Sequence, residues 1–94
     1  MLPEVEKKVQ PLIEKFREEM KRQGYPEGLI EKGVLRAKDY VQGITKFLDG
    51  THPELVSRAQ EEMMPEALEH SKKWMEGLYE VMLGRLPAKF EEVV

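Results

Sequence analysis

Apolar residues recur with the 3.6-residue period of an amphipathic helix along almost the whole chain. No stretch alternates apolar and polar positions with β-branched residues as a strand would. In the first segment, Leu2, Val5, Val9, Leu12, Ile13, Phe16 and Met20 share one face. Pro3 suits a first helical position, Glu4 and Glu6 complement the positive end of the dipole, and Lys21 and Arg22 complement the negative end. Gly24 is a natural left-handed stop. Pro11 points away from the apolar face, and the stripe passes through it in phase. The segment therefore reads as one bent helix, or as one whose first two turns fray.

After the turn "GYPEG", Ile30, Val34, Ala37, Val41, Ile44 and Leu48 step by alternating fours and threes, the heptad seam of an antiparallel bundle. Leu35 and Phe47 fall off the seam, and Phe47 is expected to widen it. Gly33 and Gly43 each cost about 1 kcal/mol against alanine inside a helix, which predicts close approach of a neighbouring helix or aromatic ring. Gly33 with Ala37 forms a small-x-x-x-small pair. "DGTHPE" predicts the next boundary: Gly50 stops one helix, and Thr51-x-x-Glu54 forms a capping box for the next. So short a connection makes the two helices antiparallel neighbours.

The third long segment runs from His52 to about Leu83, with Gly84 as its stop. Pro65 is the only breaker between Gln60 and Leu68. Across it the apolar face turns by about 80°, from Val56, Ala59 and Met63 to Leu68, Ser71, Met75, Leu78 and Met82. A change of face without loop residues predicts a kinked, nearly continuous helix; the alternative is a short break that makes four helices. About 31 helical residues span about 46 Å, against about 30 Å for each of the first two helices. Either the kink folds that overhang back over the shorter helices or a second chain covers it, and a homodimer is expected. "RLPAKFEEVV" predicts a short C-terminal helical segment, with Phe90, Val93 and Val94 apolar enough to dock on the bundle or on a second copy. The expected fold is all-α: a single domain over residues 1–94, an antiparallel bundle of three long helices.

Composition narrows the function. A chain of 94 residues buries only about 60–65% of its unfolded surface, so association helps it. Forty per cent hydrophobic and 35% charged content fits a folded helical protein and not a disordered one. No apolar run approaches the roughly 18 residues of a membrane span, and "MLPEVEKK" has no secretory pattern, so a cytoplasmic location is expected. The absence of Cys removes disulfides, thiolate metal sites and a cysteine nucleophile. The absence of Asn and Cys with abundant Glu, Lys and Arg is a composition that hyperthermophiles favour. The net charge is −3, and the basic pairs Lys7-Lys8, Lys21-Arg22 and Lys72-Lys73 sit among glutamates, which disfavours nucleic acid as a partner.

Candidate chemistry is sparse. Glu66 and His70 stand at i, i+4, but Ala67 occupies the i−3 position where di-metal bundles place a glutamate. Glu66, Glu69, Lys73, Glu76 and Glu80 map to the side opposite the apolar stripe, with Glu69 placed for Lys73 at i, i+4. This is read as a solvated face; no metal or cofactor is expected, and a carboxylate–histidine metal site is the least favoured alternative. His52 precedes a proline at a helix start. Ser57 and Ser71 are the only serines, with no nucleophile elbow, phosphate-binding loop or dinucleotide fingerprint around them, so no enzyme is expected. Met63, Met64, Trp74, Met75, Met82 and Phe90 are the candidate interface or ligand-cleft residues. Met63 and Met64, beside Pro65, are expected to be the most exposed of them. "FLDGTHPELVSRAQEEM", residues 47–63, resembles the helix–turn–helix junction of the antibiotic-binding C-terminal domains of MerR-type regulators. The resemblance implies a helical ligand-binding domain with an apolar cleft; the DNA-binding half of such regulators has no counterpart here. The expected function is a non-enzymatic interaction or assembly module that pairs with itself or with another helical protein. The alternative is a regulatory domain for a small apolar ligand in a Met/Trp-lined cleft.

Overall fold

Pro3 opens the first helix as its N-terminal position predicts, and α1 runs from Pro3–Arg22. The computed structural model describes residues 1–84 and places three long helices in an antiparallel bundle, with α2 over Glu27–Thr51 and α3 over Val56–Met82. No strand occurs among the described residues. The expected C-terminal segment, with Phe90, Val93 and Val94, lies outside them. No described helix is long and apolar enough to cross a membrane.

The glycine stops at both helix ends form as expected. Gly24 takes φ 91°, the Gly24 N–H donates to the Lys21 carbonyl at 3.1 Å, and the Tyr25 N–H donates to the Met20 carbonyl at 3.2 Å. This is a Schellman closure, in which the left-handed residue satisfies carbonyls that the helix end leaves free. Tyr25 then folds over the bundle end against Tyr79, ring centroids 5.1 Å apart, edge to face. Gly84 ends α3 with φ 73°, its N–H donating to the Val81 carbonyl at 3.0 Å.

The boundary at "DGTHPE" differs from its expectation. Gly50 keeps a negative φ, and α2 runs on through Thr51. The Thr51 hydroxyl donates back to the Phe47 carbonyl at 3.1 Å and caps nothing, and α3 has no side-chain cap. The chain turns one residue later, at His52, with φ −141° and ψ 67°. Steric conflict with the Pro53 ring keeps the preceding residue out of the helical region, so the proline and not the glycine ends α2. A single 3-10 turn, Pro53–Leu55, leads into α3. Helix α3 then passes through Pro65 unbroken, with Pro65 itself exposed. The helix lengths are therefore 20, 25 and 27 residues. The large overhang of the third helix disappears, and with it the length-based argument for a homodimer.

The core is one cluster in which Val5, Val9, Ile13, Phe16 and Met20 of α1 meet Ile30, Val34, Ala37 and Val41 of α2 and Met64, Ala67, Leu68 and Met75 of α3. Gly33 is the close approach its cost predicts: a Cβ built there stands 3.0 Å from Met75 Sδ. Gly43 is not, for nothing among the described residues lies within 4 Å of such a Cβ. The heptad seam also fails beyond Val41. Ile44 is 36% exposed and Leu48 is half-buried, and Thr45 takes the inward position. Thr45 can do so because Gln60 of α3 meets it. Gln60 Nε2 donates to Thr45 Oγ1 at 3.3 Å, Thr45 Oγ1 donates to the Gln42 carbonyl at 3.2 Å, and Gln60 Oε1 accepts the Leu2 N–H at 3.1 Å. One buried glutamine thus joins α2 and α3 to the residue that precedes α1. Gln60→Ala is expected to cost about 1–3 kcal/mol, because it leaves the Leu2 N–H and a buried hydroxyl lone pair without their partner; urea denaturation measures it.

Ion pairs fasten α1 from both sides. Arg17 reaches Glu31 of α2 through Nε at 2.8 Å and Nη2 at 3.1 Å, while Lys8 meets Glu61 at 3.1 Å and Lys72 meets Glu19 at 2.9 Å across α1 and α3. The hydrogen bond from Lys72 holds the Glu19 carboxyl below its ordinary value, and the same bond raises the Lys72 ammonium. A carboxylate lowered in the folded state contributes stability above its unfolded value and loses it as pH falls through the folded one. The Lys72 contribution persists at neutral pH and is lost only as pH rises through its raised value. The acid limb of a melting-temperature profile should therefore be shallower in Lys72→Met than in the unmodified chain.

Candidate interaction face

Helix α2 has two neighbours, and they cover only part of it. Towards α1 it presents Glu31 and Lys38, which pair with Arg17 and Glu6. Towards α3 it presents Gly33, Ala37 and Thr45, whose register is antiparallel: Gly33 against Met75, Arg36 over Trp74, Thr45 on Gln60. At about 100° per residue, Arg36, Tyr40, Gly43, Phe47 and Gly50 fall within an arc of about 80°, some 130° from the direction of Ile30, Val34, Ala37 and Val41. Tyr40 leans towards α3, its ring centroid 6.2 Å from that of His70, whereas nothing among the described residues lies within 4 Å of a Cβ built at Gly43. Phe47 is 70% exposed, the most exposed of the large apolar residues described, and Tyr40 is 46% exposed. Ile44 lies at the edge of the strip towards α3, where the antiparallel register brings half-buried Met63 alongside. Leu55, in the 3-10 turn below, is 41% exposed.

The predicted site residues separate. Met64 and Met75 are completely buried in the core, against the expectation that Met64 is surface-exposed beside Pro65. Pro65 faces solvent, so Met64, one position earlier on the helix, turns inward and joins the core cluster with α1 and α2. Met63 remains at the edge of the strip. Met82 is 61% exposed at the far end of α3, and Phe90 lies outside the described residues. Trp74 is half-buried, its ring covered by the Arg36 guanidinium at 4.9 Å. With Arg36, Ala37, Tyr40, Ala67, His70 and Ser71 it lines an open cleft of about 370 Å³ between α2 and α3. That lining is mixed and contains none of the methionines. Glu66 and His70 form an exposed pair at 3.8 Å, and no group of three metal-ligating side chains occurs among the described residues. Glu69 pairs with Lys72 at 3.6 Å rather than with Lys73.

The residues that define the face, Tyr40, Gly43, Ile44 and Phe47, are not among the predicted ones. A signal for them exists in the sequence. A helical glycine with no neighbour of its own, flanked at i−3 and i+4 by aromatic rings, marks a surface available for contact. The heptad pattern masks it, because it places Ile44 and Leu48 in the core and Phe47 at the margin.

Comparison with known protein families, with curated proteins and with solved structures found no match to this chain. The resemblance of residues 47–63 to ligand-binding regulator domains thus stands without a family behind it, and it carries no further argument.

Proposed function

We propose that this protein is a small non-enzymatic assembly module that associates with a second copy of itself through the outer face of α2. One observation carries the reading: the strip from Tyr40 to Phe47 leaves large apolar side chains in water on a chain too short to waste them. A contiguous apolar strip on a surface helix is the usual mark of a protein contact. The face bears both signs of charge, as a protein partner requires, whereas a nucleic-acid surface is predominantly basic. Binding to the folded state raises apparent stability by mass action, so the melting temperature should increase with protein concentration over the micromolar range; a concentration-independent melt would count against the proposal.

The cleft beside Trp74 supports a second reading, a binding site for a small ligand with an apolar face. The stacked Arg36 and Trp74 supply a flat wall, and Ser71 offers a hydroxyl in the lining. Quenching or shift of Trp74 fluorescence across a panel of small aromatic compounds tests it, and an unresponsive Trp74 would exclude it.

A further inference from the structure

Resting on the self-association just proposed, the geometry points to a specific partner arrangement: two copies of α2 pair antiparallel across a two-fold axis at Gly43, with Asp39 of each facing Lys46 of the other. In such a pair, position 43+k on one helix opposes position 43−k on its mate. The strip obeys that symmetry to within one residue: Gly50 comes opposite Arg36, Gly43 meets itself, and Phe47, whose counterpart is position 39, stands one residue, about 1.5 Å, from facing Tyr40 of the second copy. The one residue without a side chain therefore stands at the closest point of the two backbones. Gly43 otherwise has no reason to be glycine, since its φ is not positive and a Cβ meets nothing among the described residues.

Charge supplies the second, independent match. Asp39 and Lys46 lie on one flank of the strip, and neither makes an ion pair or hydrogen bond among the described residues. In an antiparallel two-fold pair each flank faces the same flank of the mate, so Asp39 and Lys46, centred between positions 42 and 43, fall opposite one another twice. A parallel two-fold pairing instead puts this flank of one copy on the opposite side of the seam from the same flank of the other, so Asp39 and Lys46 do not meet.

The chain has no cysteine, which makes the test clean. Helices packed about 8–10 Å apart, with Cα atoms on radii of about 2.3 Å, bring facing Cα atoms to about 3.5–5.5 Å, which overlaps disulfide range at axial separations above about 9 Å. Gly43→Cys in the full chain should form an intermolecular disulfide under mild oxidation at micromolar concentration, while Glu18→Cys, on the solvent side of α1, should not. In parallel, Asp39→Lys and Lys46→Asp should each weaken self-association by about tenfold, and the double exchange should restore it. A dimer whose Gly43→Cys form does not cross-link, or whose charge exchange is not rescued, would overturn this pairing while leaving self-association intact. A chain that stays monomeric in every form would overturn both.

Discussion

Met64→Ala and Met75→Ala are each expected to destabilise the fold by about 2–5 kcal/mol, while Met82→Ala should change it by less than about 0.5 kcal/mol. The three residues are chemically identical, and burial separates them. Met64 and Met75 are completely enclosed, whereas Met82 is 61% exposed. The net stability of a small domain is only about 5–15 kcal/mol, so either core truncation removes a large part of it. Met75 adds a coupling, because its sulfur fills the space over Gly33. Gly33→Val in the unmodified core overpacks this contact and should cost about 1–3 kcal/mol. Combined with Met75→Ala the two changes should cost less than their sum, since the added methyl groups enter the space the thioether leaves. Urea denaturation of the two single variants and the double variant measures the coupling. Strict additivity would show that the helices do not approach there.

Phe47→Asp is expected to leave the monomer folded and to weaken self-association by about a thousandfold. Phe47 contributes little to its own bundle, being 70% exposed. In a two-fold dimer each change counts twice: burying two phenylalanine side chains is worth about 3–6 kcal/mol, and two aspartates buried there would lack partners. Circular dichroism separates the two effects. A variant that keeps its helical signal and melting behaviour at low concentration but loses the concentration dependence fits the account. A variant that unfolds would mean Phe47 belongs to the core. Gly43→Ala gives a milder contrast, with about 1 kcal/mol gained by the isolated helix but a weaker dimer.

Most of α1 is legible in the sequence, because Pro3, the five inward residues from Val5 to Met20 and the stop at Gly24 express local chemistry; Leu2 and Leu12, expected on the same face, are instead 37% and 39% exposed at its edge. Gly33 is legible for the same reason: a helical glycine predicts a neighbour, and Met75 is that neighbour. The end of α2 is not, because two local signals compete there. Gly50 and Thr51 form a credible stop and cap, but glycine only permits a left-handed turn, whereas Pro53 disfavours helix at His52. The inward turn of Thr45 has no local signal at all. A threonine enters the core only when a partner such as Gln60 waits there, and that pairing joins residues fifteen positions apart on different helices. Thr45 displaces Ile44 from the seam to the edge of the strip, and that part of the face is the one no local signal shows.

The central claim, that this chain pairs with itself through α2, is tested most directly by sedimentation equilibrium of the unmodified full chain from low micromolar concentration upward. The account predicts a monomer–dimer equilibrium with the dimer dominant at the upper end, and a shift to monomer in Phe47→Asp under the same conditions. A single-chain mass across the whole range would contradict it, as would a dimer that Phe47→Asp leaves undisturbed.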